Sequence, residues 1–250
     1  MSFELRREEI LDADSLRSML DEHPGRAAQA ILAAAGQNVV EAQALLGQIL
    51  LDGRGIAQDQ PLGVRWFTIA ADAGHLMARN MLGRCFEHGW GCAADARQAA
   101  DHYRLAAAQG LDWGLYNYAN LLSTGRGVPE DQPLALACYR KAAHLGHAKS
   151  MNLLGRYLEL GVACEANPPE AFEWYERSAE AGDFRGQFSH ASVLASLGEV
   201  DRALAWFEEA LRIGNANFLR VSGPHLDSAQ DERVRALAPR YRARLVELGV

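Results

Sequence analysis

Hydrophobic and polar positions along the chain repeat in a block of 36 residues, which is written four times without an insertion or deletion. The blocks cover residues 43–78, 79–114, 115–150 and 151–186. Each block predicts a first helix (helix A), a glycine-rich turn and a second helix (helix B). One such pair is too small to bury its own apolar face, so neighbouring pairs must stack on one another. The pattern therefore predicts an all-α repeat array.

Glycines and short polar side chains mark the predicted helix ends. A Gly-x-Gly pair follows helix A in three blocks, where it permits the positive φ that ends a helix, whereas the fourth block has Ala163 in place of the second glycine. Pro168 follows Asn167 at a first-turn position that tolerates proline. The expected N-caps of helix B are Asp59, Asp95, Asp131 and Asn167, and the expected left-handed residues after it are Gly74, Gly110, Gly146 and Gly182.

Small residues also occur inside helix A, at Gly47, Gly83, Ala119 and Gly155. Glycine within a helix costs about 1 kcal/mol relative to alanine. We therefore expect a close approach between helices at this position. The expected facing positions on helix B are Ala70, Ala106, Ala142 and Ser178.

The ends of the chain are predicted to extend the array as one continuous domain. Residues 1–42 are expected to form a helix over residues 2–20 and a half-repeat helix over residues 26–35. Residues 43–186 hold the four blocks, and residues 187–220 hold a fifth, shorter repeat because four residues are missing from its turn. The residues after Ile213-Gly214 are expected to be irregular, and residues 221–250 are predicted to turn at Gly223-Pro224. A last helix should then follow, capped by Asp227 or Ser228, with Pro239 interrupting it.

Composition limits the class of protein. The hydrophobic fraction of 49% and the charged fraction of 23% are typical of a folded, soluble chain. The formal net charge of −7 argues against nucleic-acid or anionic-membrane partners. The sequence contains no apolar run of about 18 residues, so no membrane span is predicted. The first residues of the sequence include acidic side chains and no continuous apolar segment, unlike a secretory signal. A cytoplasmic location is therefore expected.

Four residue groups could carry chemistry, and each has a structural alternative. The cysteines replace packing residues of the repeat, which favours buried thiols over a metal site or a redox pair. His144 and His147 could hold a metal, but histidines on the turn surface are favoured. The aromatic column is favoured as core over a ligand box. It contains Trp66, Trp174 and Trp206, with Phe67, Tyr103, Tyr139, Tyr175 and Phe207 beside it. The basic C-terminal residues indicate a solvated face or a contact with an acidic partner or a nucleic acid, and the acidic remainder of the chain argues against a nucleic acid. These residues are Arg233, Arg235, Arg240, Arg242 and Arg244.

No motif of a serine hydrolase, P-loop or zinc protease occurs, so neither an enzyme nor a cofactor is predicted. Two helix A positions four residues apart instead suggest a polar ladder that binds a peptide, because residues i and i+4 share one helix face. Asparagine can bond a peptide backbone, and arginine can bind a carboxylate. The alternative is that these are ordinary solvated positions. The candidate peptide-binding residues are Gln48, Asn80, Arg84, Tyr116, Asn117, Asn120, Asn152 and Arg156.

The columns L-G-x-x-[YFL]-x-x-G-x-G-[VI]-x-x-D and W-[YF]-x-x-A-A-x-x-G resemble the Sel-1-like repeat family, which is related to tetratricopeptide repeats. The resemblance covers residues 43–186 well and residues 187–214 loosely. It implies a right-handed α/α solenoid with helix A lining the concave face. It also implies a non-enzymatic scaffold whose concave groove binds a protein or peptide.

Two other functions stay open beside the scaffold. The chain could be a dedicated inhibitor or regulatory partner of one enzyme or effector. A β-lactam-binding hydrolase is the weakest alternative, because relatives with that activity carry a cysteine pair in each repeat, which this chain lacks. The oligomeric state is left open.

Overall fold

The computed structural model describes residues 13–249, with side chains from residue 18 onward. Throughout these residues the secondary structure is helical and contains no strand. Contacts within the chain divide it into two compact units, and the division falls between Glu130 and Asp131. Unit 1 ends at Glu130, and unit 2 begins at Asp131.

Unit 1 contains three helical hairpins and the first helix of the next repeat. Hairpins α1–α2, α3–α4 and α5–α6 follow one another, and α7 packs on α6. From residue 13 onward, the helices of this unit are α1 (Ala13–Glu22), α2 (Pro24–Gly36), α3 (Val40–Asp52), α4 (Gln60–Asp72), α5 (Leu76–His88), α6 (Ala96–Ala108) and α7 (Asp112–Thr124).

Unit 2 begins with a helix B and continues with three more hairpins. Helices α9, α11 and α13 are the helix A members, and α10, α12 and α15 pack on them as helix B members. Up to residue 249, the helices of this unit are α8 (Gln132–His144), α9 (Ala148–Leu160), α10 (Pro168–Glu180), α11 (Phe184–Ser196), α12 (Val200–Ile213), α13 (Ala216–Asp227), α14 (Glu232–Arg235) and α15 (Ala238–Glu247).

The predicted helix ends are confirmed. Gly53 ends α3 with φ 71°, and Ala163 keeps a positive φ of 55° even though it is not glycine. The side chain of Asp59 accepts a hydrogen bond from the Leu62 N–H at 3.0 Å. The other predicted caps, Asp95, Asp131 and Asn167, act in the same way. The left-handed conformation is also found at Gly74, Gly110, Gly146 and Gly182.

The close approach predicted at the interior glycines is confirmed, but its partner is different. A Cβ on Gly83 would lie 2.5 Å from the ring of Tyr103, and one on Gly155 would lie 2.6 Å from the ring of Tyr175. The expected alanine column points elsewhere, because Ala106 lies against Gly114 of the following helix A. Aromatic rings therefore hold each hairpin together, and small residues hold neighbouring hairpins together.

The aromatic column is core, as predicted. Trp174 is buried, and Trp66 and Trp206 are partly buried against core clusters. The rings beside them, Phe67, Tyr103, Tyr139, Tyr175 and Phe207, are all buried. The four cysteines are free thiols: Cys85 and Cys138 are buried, whereas Cys92 and Cys164 are partly buried. Burial raises the pKa of the Cys85 thiol to about 12, which keeps it protonated and unreactive near neutral pH.

The prediction of an irregular stretch with a turn at Gly223-Pro224 is wrong. Residues 216–227 form α13, whose buried Phe218, Ser222 and Leu226 recur every four residues. Proline clashes with the Cβ of the preceding residue in a helix, and Gly223 has none. The helix capped by Asp227 or Ser228 is also wrong. Asp231 caps the short α14, and Pro239 lies in the first turn of α15.

At the other end, part of the predicted helix over residues 2–20 lies outside the described residues. The described part, α1, ends at Glu22. Leu20 of α1 is buried against Ala27, Ala28 and Ile31 of α2. The predicted half-repeat helix α2 therefore has a helix packed on it.

Candidate functional site

The predicted peptide-binding residues all lie on helix A members. Their arrangement differs between the two units, so each unit is described separately. Unit 1 contains Gln48 on α3, Asn80 and Arg84 on α5, and Tyr116, Asn117 and Asn120 on α7; unit 2 contains Asn152 and Arg156 on α9.

In unit 1, two of the predicted amides bind each other. Asn80 is buried, with 2% of its surface exposed. Its Oδ1 accepts a hydrogen bond from the Nδ2 of Asn117 at 2.9 Å. The two residues are 37 positions apart, one more than the repeat length of 36. A residue of one helix A therefore lies opposite the residue after its equivalent in the next helix A. This amide pair joins α5 to α7 inside the protein.

The remaining predicted residues of unit 1 are half-buried. The guanidinium of Arg84 lies 5.0 Å from the centre of the Trp90 ring, a cation–π contact. Gln48 donates to Asp52 of its own helix at 2.7 Å. Tyr116 packs edge-on against Trp113, and Asn120 lies one turn further along α7.

Glu87 of α5 was not predicted, but it connects three elements of unit 1. Its carboxylate accepts a hydrogen bond from the hydroxyl of Tyr103 at 2.6 Å and forms an ion pair with Arg126 in the turn after α7. Only 15% of the Glu87 side chain is exposed. Burial raises the pKa of the Tyr103 hydroxyl, so this group stays a hydrogen-bond donor.

Unit 2 repeats the buried polar contact. Asn152 is 3% exposed, and its Oδ1 accepts a hydrogen bond from the Oγ of Ser189 at 2.9 Å. Ser189 is again 37 positions further along. Asn80 and Asn152 therefore hold helix A members in register, whereas the sequence predicted that they would face a ligand. Arg156, one turn after Asn152, is exposed.

Arg156 lines a groove of ≈ 680 Å³ on the helix A face of unit 2. Helices α9, α11 and α13 form its walls, and we call it the α9–α11–α13 groove. Its polar lining includes Arg156, Arg185, Ser189, Ser192, Ser196 and Asn217. Its apolar lining includes Phe188, Val193, Phe218 and Val221, and Val221 is 75% exposed.

Charge in this groove is unbalanced. Glu159 accepts a hydrogen bond from the Tyr175 hydroxyl at 2.7 Å. Neither Arg156 nor Arg185 forms an ion pair with another of the described residues, and the guanidinium of Arg185 lies over the ring of Phe184 at 4.6 Å. The lining thus presents two arginines against one carboxylate.

The C-terminal arginines are different, because most of them bind carboxylates of unit 2. Arg233 contacts Asp201 at 2.8 Å, and Arg242 contacts Asp227 at 2.7 Å. Arg240 pairs with Glu208 on α12. The acidic contact considered from sequence is therefore made within the chain.

His75 and His147, which share one turn position of the repeat, are N-caps, whereas His144 is exposed at the end of α8, as expected of a histidine on the turn surface. The Nδ1 of His75 accepts a hydrogen bond from the Ala78 N–H at 3.0 Å, and buried His147 caps α9 in the same way. Among the described residues, no group of three or more His, Cys, Asp or Glu side chains could hold a metal ion. Likewise, no helix in residues 13–249 has the length and apolar character that crossing a membrane requires.

Sequence reasoning missed α13 and with it one wall of the groove. The sequence does contain evidence for α13, because features of α11 recur 32 residues later. Asp183 caps α11, and Asn215, 32 residues later, caps α13 by accepting from the Phe218 N–H at 3.0 Å. At the same spacing, Gly223 follows Ala191, which occupies the small-residue position inside helix A.

Known proteins share this fold. A Sel1 repeat protein from Oxalobacter formigenes superposes with a TM-score of 0.77 at 23% identity, over 95% of this chain and 100% of that chain. Immunity protein Pa5087 from Pseudomonas aeruginosa superposes with a TM-score of 0.55 at 16% identity, over 84% of this chain and 81% of that chain. These likenesses confirm the predicted all-α repeat solenoid.

Among curated relatives, chitin synthase regulatory factor 3 of Schizosaccharomyces pombe is 35% identical over 112 residues. That match covers 44% of this chain and 12% of the relative, so the chain spans only a small part of that protein. The family model described as "Sel1 repeat" matches residues 40–75, 76–111, 114–147, 148–183 and 200–215. Since these segments make up more than half of the sequence, the chain belongs to the Sel1 repeat family.

Proposed function

We propose that this chain is a non-enzymatic adaptor that binds an extended segment of another protein along its helix A surfaces. The observation that carries the proposal is the α9–α11–α13 groove, which is long enough to involve three helices and exposes both arginine and aliphatic side chains. Membership of the Sel1 repeat family supports a role in protein interaction. The net charge of −7 favours a protein partner over a nucleic acid.

The buried amides give these surfaces a fixed shape. The Asn80–Asn117 and Asn152–Ser189 hydrogen bonds join successive helix A members through groups that are shielded from water. Such bonds are costly to break, because each would leave a buried polar group unsatisfied. A surface held in this way can bind with little rearrangement, which lowers the entropy cost of association.

Within the predicted ladder, we assign the ligand contacts to the side chains that remain accessible. In unit 1 these are Gln48, Arg84, Tyr116 and Asn120, and in unit 2 the corresponding residue is Arg156. The asparagines at positions 80, 117 and 152 act indirectly, by positioning the helices that carry these side chains.

The test is capture of partners from native lysate by the immobilised full chain, followed by mass spectrometry. Arg84→Ala combined with Arg156→Ala should lose the captured proteins and keep the helical circular dichroism spectrum. The matched control is Arg65→Ala with Arg140→Ala, which removes the same charge from exposed positions on helix B members. Capture that is equal in both double variants would contradict binding at helix A.

A second candidate is a dedicated regulatory partner of one enzyme. It is favoured by the curated relatives, several of which are named as regulators of chitin synthase. Both candidates use the helix A surface and differ in the number of partners. One dominant captured protein at a fixed stoichiometry would favour the regulator, and several unrelated proteins would favour the adaptor.

A further inference from the structure

The lining of the α9–α11–α13 groove contains two arginines, Arg156 and Arg185, and one carboxylate, Glu159. Six other arginines among the described residues of this unit are ion-paired with carboxylates: Arg202, Arg212, Arg233, Arg240, Arg242 and Arg244. Arg156 and Arg185, by contrast, face the groove without such a partner in the described part of the chain. Arg140, Arg177, Arg220 and Arg235 also form no ion pair with the described residues, so Arg156 and Arg185 are distinguished by lining one groove together. A ligand that covers both guanidinium groups in this groove is favoured if it supplies carboxylates to pair with them.

Aliphatic side chains lie in the same groove. Val221 projects from α13 with 75% of its surface exposed, and Val193 of α11 is partly exposed. The rings of Phe188 and Phe218 contribute to the apolar lining. Burying such surface against a ligand is favourable at roughly 25 cal/mol per Å². The groove thus offers an apolar contact beside its unpaired arginines.

The equivalent positions in unit 1 lack this combination. There Arg84 stacks on Trp90, and Glu87 binds Arg126. Two repeats later, Val162 stands where Trp90 would be, so no indole ring is available to cover Arg156. The position equivalent to Arg126 falls in the shortened turn between α11 and α12, at Gly198. The sequence of unit 2 therefore leaves both Arg156 and Glu159 exposed.

From this geometry we infer that the groove recognises an extended peptide segment with carboxylate side chains next to an aliphatic residue. Arg156 and Arg185 bind the carboxylates, and Val193 and Val221 contact the aliphatic residue. The hydroxyls of Ser192 and Ser196, which donate to carbonyls of their own helix, accept hydrogen bonds from peptide N–H groups. This inference rests on the proposed function and specifies the chemistry of the partner.

The experiment uses the full chain to select from a phage-displayed library of random dodecapeptides. Enriched sequences are synthesised with a fluorescein label, and their affinities are measured by fluorescence anisotropy at low and at high salt. We expect the enriched sequences to combine Asp or Glu with Leu, Ile or Val. We also expect binding to weaken as salt rises, because these ion pairs are partly exposed.

Two variants test the assigned side chains, and circular dichroism checks that both stay folded. Arg156→Ala with Arg185→Ala should raise Kd by at least about tenfold, whereas Arg65→Ala with Arg140→Ala should leave Kd unchanged. Val221→Ser should weaken peptides that contain the aliphatic residue more than peptides in which alanine replaces it.

The possible failures are distinguishable. Enrichment of basic or uncharged peptides, or equal affinity in both arginine double variants, overturns this inference while peptide binding itself stands. A library that yields no binder overturns both the inference and the proposed function.

Discussion

Arg84 and Glu87 on α5 occupy the same repeat positions as Arg156 and Glu159 on α9, yet the two pairs have different surroundings. In both places a buried tyrosine of helix B donates to the glutamate, at 2.6 Å from Tyr103 and 2.7 Å from Tyr175. In unit 1 an indole ring and a turn arginine then cover the pair. In unit 2 the corresponding arginine stays exposed and lines a groove.

The difference shows which part of a repeat sets its surface. The helices and the tyrosine–glutamate bond are common to both units, so they belong to the framework. The covering residues, Trp90 and Arg126, come from the turns that follow helix A. Turn sequence and turn length therefore decide how much of a helix A arginine is exposed to a ligand.

The largest expected effect is a loss of stability, in variants that test the helix packing common to both units. Gly83→Leu in unit 1 and Gly155→Leu in unit 2 should each lower the free energy of unfolding by about 1–3 kcal/mol, because the new side chain collides with a tyrosine ring. Thermal melts followed by circular dichroism measure the loss. Gly25→Leu places the same side chain where nothing lies within 4 Å and should change the melt far less. A loss in one unit and not in the other would mean that the frameworks are not equivalent.

The next effect tests the difference between the two glutamates. Glu87→Gln should lower the free energy of unfolding by about 1–2 kcal/mol, because it weakens a shielded hydrogen bond and removes an ion pair. Glu159→Gln should cost less, since Glu159 has the tyrosine bond and is exposed. Urea unfolding of both variants measures the contrast.

A double-mutant cycle of Glu87→Gln with Arg126→Met isolates the ion pair. A coupling energy indistinguishable from zero would show that the ion pair between Glu87 and Arg126 does not stabilise unit 1.

The smallest effect concerns pH. His190 on α11 is 1% exposed, stacks on Phe172, and has an unbonded Nδ1. Burial lowers the pKa of His190 from its ordinary value of 6.5, against an opposing effect of Glu176 and a reinforcing one of Arg202. The unfolded chain therefore binds a proton that the folded chain does not, so this contribution to stability is complete above about pH 6.5 and is lost as pH falls.

His190→Phe removes the titrating group and keeps a ring in its place. The decrease in Tm between about pH 7.5 and pH 5.5 should be smaller in this variant than in the wild type. His23→Gln, a change at an exposed histidine, should leave the decrease unaltered. An equal decrease in all three proteins would show that another group governs acid sensitivity.

Most of the fold could be predicted from the sequence because its signals are local. Asp59 and Gly53 mark helix ends through their own backbone and side-chain chemistry, and constant spacing repeats them. α13 was missed because Pro224 locally predicts a turn. In the structure, burial of Phe218 and Leu226 stabilises the helix in spite of this proline. Tertiary packing is not visible in a local pattern.

The candidate site could be predicted less well. Position on a helix face correctly grouped Asn80 with Arg84, but it could not show which of the two faces inward. That depends on the offset between stacked helices, which places Asn117 opposite Asn80 at 37 residues instead of 36. Arg185 and Val221 were missed because they matter only through the groove that α13 completes.

The shortened turn after α11 has a practical consequence for anyone who exchanges residues between repeats. Up to Ser196, a step of 36 leads from one helix A position to its structural counterpart. Beyond that point the step is 32, so the counterpart of Ser192 is Pro224, whereas counting 36 leads to Ser228, outside α13. Grafts or consensus designs that keep a constant count would place surface residues in the wrong element over the last quarter of the protein.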